Sequence, residues 1–287
     1  MAQDQSTPHP RIAVSSWSLH RKLGITYANG PTGNGRAQAQ ETYGKPELLL
    51  ADLPAALRQH GYDRVELCHF HIASLDPFYL EELRMEFASH GVTIQTLLID
   101  DGDITDPATR SRAMSWINSW ISAAARLGAV NARAIAGKRK PTADALALSV
   151  SGLRHLAQAA ATQSVQLVTE NWFDLTATPT EVHHILDGVG DDLEFLADMG
   201  NWSGPTKYAD LASIFARAQL CHAKASFDPG QNLDEADYAQ CIQAAEGAGY
   251  TGPYTLIFAD EGDEWQGLAK ERDFVLKTIA PPSAGVE

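Results

Sequence analysis

A unit of one strand followed by one helix repeats eight times along this chain of 287 residues. Each repeat is a short apolar run and a longer stretch with helical periodicity, at about 36 residues per unit. The predicted strands are residues 11–17, 64–68, 92–99, 131–137, 165–170, 193–198, 218–224 and 253–258. Strict alternation of this kind predicts an α/β protein whose single domain, residues 11–280, is a (β/α)8 TIM barrel.

An open doubly wound sheet is the alternative fold, because it uses the same units. It rarely needs eight of them in succession, and no GxGxxG loop follows the first predicted strand.

The regions outside the eight repeats carry fewer signals of regular structure. Residues 1–10 and 281–287 contain little that could be buried, so we expect flexible ends. The Gly- and Asn-rich stretch of residues 24–43 is expected to be either a lid over the barrel mouth or a disordered insertion.

Charge and cysteine content exclude several classes of function. The chain has 36 Asp and Glu against 22 Lys and Arg, a formal charge of −14, which opposes binding to nucleic acid or to anionic membranes. Its three cysteines include no CxxC pair, and no apolar run resembles a signal peptide or a membrane span. We therefore expect a cytoplasmic protein with no nucleic-acid or membrane partner.

Polar side chains gather at the carboxyl ends of the predicted strands, where barrel enzymes place their active sites. Glu170, Asp198 and His222 lie at the ends of three consecutive apolar strands, so the curvature of a barrel aims them at one point. Two carboxylates and an imidazole suit Mn²⁺, Co²⁺, Zn²⁺ or Mg²⁺ and leave positions open for substrate oxygens. A metal site is favoured over separate roles as helix caps and loop anchors.

These motifs resemble those of the xylose isomerase-like barrel superfamily of sugar phosphate isomerases and epimerases. The resemblance covers nearly the whole chain and rests on VTENW, LADMGNW, CHAKA and GYTGPYTLIF, taken in that order. It implies that Glu170, Asp198 and His222 bind a divalent metal ion, and that Glu170 also acts in catalysis as an acid or base. It further implies that Asn201 contacts the substrate.

One position departs from the pattern of that family. The family's fourth ligand is a Glu in the eighth strand, and the alignment of GPYTLIF places Ile257 there. Asp260 and Glu261 follow out of register, as candidates to replace it. The similar epimerases use two glutamates on opposite faces of the substrate, so this departure puts the two-base scheme in doubt and leaves isomerisation by one base, or elimination, open.

Other strand-end residues complete the predicted site. His69 and His71 alternate along an expected extended chain, so both can face one side as acid or base, or simply line the loop. Lys224, two residues after His222, is a candidate catalytic residue that can hold an anion or pair with a nearby Asp. The tryptophans can stack on a sugar or roof the barrel. The candidate substrate-binding residues are His20, Glu66, Asn201, Trp17, Trp172 and Trp202.

The leading hypothesis is a divalent-metal-dependent sugar isomerase or epimerase in carbohydrate metabolism. It would act on a small ketose, polyol or keto-sugar by proton abstraction next to a carbonyl. One alternative is a lyase or dehydratase acting on a keto-sugar or oxidised glycoside with the same metal site. Another is a non-catalytic sugar-binding barrel or assembly subunit, which the absence of the strand-eight Glu suggests. A small carbohydrate is the expected partner, with a homodimer as one option for assembly.

A DNA-cleaving AP endonuclease shares this barrel but is disfavoured. Its chemistry needs a three-metal cluster with more histidines, and Asn201 stands where that family has a His. The negative charge of the chain also opposes contact with phosphate backbones.

Overall fold

The computed structural model describes residues 8–28, 30–31 and 38–280 and confirms the predicted barrel. Its strands are β1 (Ile12–Ser15), β2 (Thr26–Ala28), β3 (Gln38–Gln40), β4 (Arg64–Cys68), β5 (Thr93–Ile99), β6 (Asn131–Ala134), β7 (Gln166–Glu170), β8 (Leu193–Asp198), β9 (Leu220–Lys224) and β10 (Tyr254–Ile257). Its helices are α1 (His20–Leu23), α2 (Leu53–Gln59), α3 (Pro77–Ser89), α4 (Arg110–Leu127), α5 (Ala143–Ala161), α6 (Pro179–Val189), α7 (Lys207–Phe215), α8 (Glu235–Gly247) and α9 (Glu264–Ile279).

Eight parallel strands close the barrel in the order β1, β10, β9, β8, β7, β6, β5, β4. Sequential strands are therefore neighbours, and the last strand pairs with the first. No helix among the described residues has the length and apolar content needed to cross a membrane. Residues 1–7 and 281–287 lie outside the described residues, so the expected flexibility of the two ends stays a prediction.

Part of the insertion at residues 24–43 folds into an antiparallel hairpin. Strand β2 pairs with β3, Thr26 facing Gln40. Gly24 turns the chain before the hairpin with φ +67°, and a Cβ there would lie 2.6 Å from the carbonyl oxygen of Gly44, so only glycine fits. Tyr43 then packs edge-on against the ring of His20, 4.4 Å between centroids. Residues 29 and 32–37 of the insertion lie outside the described residues.

Local chemistry sets the ends of the helices. Helix α3 begins at Pro77, behind Asp76, whose carboxylate accepts hydrogen bonds from two backbone N–H groups of the first turn. Helix α4 ends at Gly128, which adopts the left-handed conformation. On its inner face Trp120 is fully buried, with its ring centroid 6.2 Å from that of Trp116.

The interior of the barrel follows the two-residue alternation of its strands. Val168, Leu196 and Leu220 form a small apolar cluster of their own. Side chains two positions apart share one face of a strand. Two positions further along the same three strands are Glu170, Asp198 and His222. The polar triad therefore stands on an apolar floor.

One carboxyl group in the outer helical layer is buried without a partner. Glu271 of α9 is fully buried, and neither side-chain oxygen has a hydrogen-bond partner among the described residues. Burial raises the pKa of this carboxyl well above its usual range, and the nearby charge of Asp260 adds to the shift. The folded protein therefore holds a proton on Glu271 at pH values where the unfolded chain has lost it.

Glu271→Gln is expected to raise the free energy of unfolding at pH 7.5 by about 1 kcal/mol or more. An acid with a raised folded-state pKa loses stability as pH rises above the unfolded value of about 4.3, and glutamine has no such loss. Urea unfolding between pH 4.5 and 8 measures the difference. The exposed Glu82→Gln on α3 is the matched control. A variant that kept the wild-type pH dependence would contradict the assignment.

Candidate metal centre and active site

Glu170, Asp198 and His222 meet at the carboxyl end of the barrel. Each is at most 5% exposed, and one ligand atom from each lies within 4.8 Å of the other two. Nδ1 of His222 is 3.5 Å from Oε1 of Glu170 and 3.5 Å from Oδ2 of Asp198. Two carboxylates and an imidazole form a donor set that divalent cations accept, so this group can bind a metal ion.

Attraction between buried opposite charges shifts the pKa values of His222 and Asp198. Burial alone would lower the pKa of His222, but the carboxylates of Glu170 and Glu66 raise it well above its usual value. Burial alone would raise the pKa of Asp198, but the adjacent His222 lowers it. The two shifts have one cause, since charges interact strongly where water is excluded.

Glu66 lies beneath the metal group and does not line the cavity above it. This fully buried residue of β4 accepts a hydrogen bond from Nε2 of His222 at 2.8 Å and another from the hydroxyl of Thr96 at 3.0 Å. With a metal ion bound, this hydrogen bond would keep the ring proton on Nε2 and leave Nδ1 free to bind the ion. The position of Glu66 therefore fits a residue that orients His222, whereas the sequence predicted a substrate contact.

Arg133 of β6 is a buried cation that the sequence analysis did not identify. Its guanidinium donates hydrogen bonds to Asp100 and to the carbonyl of Ile99, and its Nε lies 3.1 Å from Oε2 of Glu170. Burial opposes its charge, but Asp100 and Glu170 outweigh that effect and raise its pKa. In return, and against its own burial, the pKa of Asp100 falls to about 2. The sequence does contain one signal of this network, an arginine inside the short strand NARA. A strand this short is buried in a barrel, and a buried cation requires carboxylate partners.

Asn171 fastens the end of β7 to the end of β8. Its side-chain oxygen accepts a hydrogen bond from the backbone N–H of Asp198 at 2.7 Å, and its Nδ2 donates to the carbonyl of Asp198 at 3.1 Å. This reciprocal pair fixes the separation of the two strands that carry Glu170 and Asp198. It is a second functional residue that sequence reasoning missed, although it lies in the VTENW motif.

A cavity of about 230 Å³ opens above the triad. Among the predicted substrate-binding residues, Trp17, Trp172 and Asn201 line it, and the predicted catalytic Lys224 does so too. Nδ2 of Asn201 donates to Oε1 of Glu170 at 3.0 Å. The ring of Trp172 lies over the guanidinium of Arg133, which flattens one wall. The structure thus brings the triad together with an amide, two cations and aromatic walls.

Two further predicted substrate-binding residues lie outside the lining of the cavity. His20 stacks on Trp17 with ring centroids 4.5 Å apart and is packed behind it. The indole N–H of Trp202 donates to the carbonyl of Thr176 at 3.1 Å, which anchors this tryptophan to the segment after β7. Their substrate-binding roles stay predictions without a position in the cavity to support them.

The extended chain expected at His69 and His71 is wrong, because a short 3-10 helix, His69–His71, follows β4 and turns the two rings apart. His69 packs against two tryptophans of α4, and its Nδ1 accepts a hydrogen bond from the backbone N–H of Asp100 at 3.1 Å. His71 lies 2.9 Å from the hydroxyl of Ser16, and burial lowers its pKa to about 3. Neither ring lines the cavity, and their catalytic roles stay predictions.

Ile257 lines the cavity at the end of β10, in register with Lys224 of β9. The two acids that follow do not take its place. Asp260 accepts a hydrogen bond from the backbone N–H of Phe227 at 3.1 Å, and Glu261 is exposed. Among the residues that the structure describes, no carboxylate from β10 or the loop after it lines the cavity.

A sequence profile described as xylose isomerase-like TIM barrel matches residues 54–278. The chain therefore belongs to the xylose isomerase-like TIM barrel family. A comparison with curated protein sequences found no match.

Several solved structures share the fold at low sequence identity. An L-ribulose 3-epimerase is 17% identical with a TM-score of 0.69, over 94% of this chain and 95% of that one. A 3-keto-D-glucoside 4-epimerase from E. coli is 13% identical with a TM-score of 0.65, over 94% and 100%. A xylose isomerase-like barrel protein from Mycobacterium smegmatis, solved in complex with magnesium, is 21% identical with a TM-score of 0.63, over 79% and 87%. At these identities the likeness establishes the fold alone.

Glu66→Gln is expected to weaken Mn²⁺ binding by about 10- to 100-fold. An amide in place of the carboxylate accepts a weaker hydrogen bond from His222 and makes Nδ1 a poorer ligand. Calorimetric titration of the metal-free protein with Mn²⁺ measures the change. Glu194→Gln, on β8 and half-buried away from the cavity, is the matched control. Equal affinities of Glu66→Gln and wild type would show that Glu66 does not orient a metal ligand.

Proposed function

We propose that the protein is a divalent-metal-dependent sugar isomerase. It acts on a small ketose, polyol or keto-sugar by removing a proton from the carbon next to a carbonyl. The observation that carries the proposal is the buried group of Glu170, Asp198 and His222 at the base of the cavity. The cavity volume of about 230 Å³ lies below the range of about 300–1,000 Å³ of drug-sized sites, which favours a small substrate.

Glu170, Asp198 and His222 would hold the metal ion. The donor set fits a divalent cation, because two buried carboxylates converge on Nδ1 of His222. Glu66 contacts the other ring nitrogen, Nε2, and so fixes the orientation of the ring. When bound, such an ion polarises a carbonyl oxygen and offsets the negative charge that develops on the substrate. The names of the similar epimerases support the same class of chemistry, since both act on sugars.

Glu170 is the side chain best placed to move the proton. Its Oε1 accepts the hydrogen bond of Asn201, whereas its buried Oε2 has no hydrogen-bond partner among the described residues. Nε of Arg133 lies 3.1 Å from Oε2 and fixes the direction of the carboxylate. A single carboxylate can take a proton from the carbon that carries a hydroxyl and return it to the former carbonyl carbon, and transfer of the hydroxyl proton to the former carbonyl oxygen then completes an isomerisation.

Ile257 favours isomerisation over epimerisation by two bases. Its aliphatic side chain lines the cavity at the position of the family's second Glu and can neither donate nor accept a proton. The same observation supports a second candidate function, a lyase. Elimination needs one base to remove a proton next to the carbonyl, with a leaving group departing from the neighbouring carbon.

Proton exchange in D₂O tests the proposal. The Mn²⁺-loaded protein is incubated with D-fructose, D-tagatose, L-ribulose and a 3-keto-glucoside, and NMR follows the proton next to each carbonyl. We expect deuterium to enter one substrate with formation of its isomer, and Glu170→Gln to slow this by about 10²-fold or more. Glu194→Gln should exchange at the wild-type rate.

Other products would point to the other functions. An unsaturated product, formed with loss of water or of an aglycone, would favour the lyase. Tight Mn²⁺ binding without exchange in any substrate would favour a non-catalytic sugar-binding barrel. Failure to bind any divalent ion would overturn both enzyme assignments.

A further inference from the structure

We infer that the substrate carries a carboxylate group and that Lys224 binds it. This inference rests on the proposed function, because it places the carboxylate in the same cavity as the reacting carbons. It assigns Lys224 to the recognition of the substrate and leaves the proton transfer to Glu170.

Lys224 brings a positive charge into the cavity without a direct partner among the described residues. It is the last residue of β9, two positions after His222, so its side chain projects on the same face and lines the cavity. Among the described residues, its Nζ has no hydrogen bond and no ion pair within 4.0 Å, and its charge acts on the chain from further away by lowering the pKa of Asp198. By contrast, the cation of Arg133 already contacts Asp100 and Glu170.

The aliphatic stem of Lys224 packs closely against the backbone of Gly200. A Cβ on Gly200 would lie 2.6 Å from Cδ of Lys224 and 2.9 Å from its Cγ, so the absence of a side chain makes room for the stem. The backbone N–H of Gly200 donates to Asp198 at 2.6 Å, which holds this turn against the metal group. The ammonium is therefore positioned by packing, which reduces the entropy lost when it binds an anion.

The residue at position 257 explains why the ammonium is free. Ile257 and Lys224 are register partners on neighbouring parallel strands, about 4.8 Å apart, and both line the cavity. A carboxylate at position 257 would lie within reach of Lys224 and neutralise it. Isoleucine cannot, which leaves the ammonium open to a negatively charged group of the substrate.

The supply of positive charge favours a carboxylate over a phosphate. A phosphate with about two negative charges is usually met by an arginine fork or by several N–H groups at a helix N-terminus. The arginine in this cavity is already paired, and one lysine matches one negative charge. The chemistry of the cavity therefore fits a small sugar acid, with its hydroxyl and carbonyl oxygens toward the triad and its carboxylate toward Lys224.

Paired sugars that differ only in the charged group test the inference. Binding of D-glucuronate, D-glucose and D-glucose 6-phosphate to the Mn²⁺-loaded full-length protein is measured by ligand-observed NMR. We expect D-glucuronate to bind about 10-fold more tightly than D-glucose, as one charge-assisted contact allows. Lys224→Met, which keeps the apolar stem, should bring the ratio close to one, and Lys224→Arg should retain most of the preference.

Ile257→Glu provides an independent variant. The new carboxylate adds a negative charge within reach of Lys224 and should remove the preference for D-glucuronate while the lysine is still present, whether it pairs with the lysine or joins the metal-binding residues. Mn²⁺ content, measured in every variant, should remain at the wild-type level in Lys224→Met. A carboxylate bound by the Mn²⁺ ion alone would keep its preference in that variant and would overturn the inference.

Equal binding of D-glucuronate and D-glucose, or tighter binding of D-glucose 6-phosphate than of D-glucuronate, would also overturn it. These outcomes differ from a failure of the proposed function. Absence of Mn²⁺ binding, or absence of proton exchange in D₂O with both the neutral sugars and D-glucuronate, would remove the enzyme assignment. A metal-loaded protein that exchanged protons of neutral ketoses but showed no preference for the carboxylate would remove only the role of Lys224.

Discussion

Burial of several like charges inside one barrel is the constraint on which the site depends. The four carboxylates concerned are Glu66, Asp100, Glu170 and Asp198. Repulsion between them is strong where water is excluded, and it has to be offset for the barrel to close. Arg133 bridges two of these carboxylates, and His222 contacts the other two and Glu170. A divalent cation would complete the neutralisation, which is why the arrangement favours metal binding.

Most of the fold was predictable because its signals are local. The alternation of apolar strands and capped helices depends on neighbours in the sequence, as the start of α3 at Pro77 and the end of α4 at Gly128 illustrate. The convergence of Glu170, Asp198 and His222 was predictable for a related reason. In a barrel, consecutive strands are neighbours, so residues at their ends come together once the topology is known.

The remainder of the site depends on contacts between distant parts of the chain. Glu66 and His222 are 156 residues apart and lie on strands that are not adjacent in the barrel, so no spacing in the sequence announces their hydrogen bond. The sequence pattern does not reveal where β4 ends, because a strand that passes directly into a 3-10 turn shows the same alternation of residue types as a longer strand. His69 and His71 were therefore assigned to a face they do not share.

The two hydrogen bonds between Asn171 and the backbone of Asp198 divide the active site into two parts that differ in how well they tolerate substitution. One part, on β7 and β8, carries the ligand residues Glu170 and Asp198 and is tied together by the two hydrogen bonds between the asparagine side chain and the backbone of Asp198. The other, including Trp17 and Phe70, comes from segments after β1 and β4 that are not part of that tie. Mutations in the second part can reshape the pocket while the metal-binding geometry is preserved.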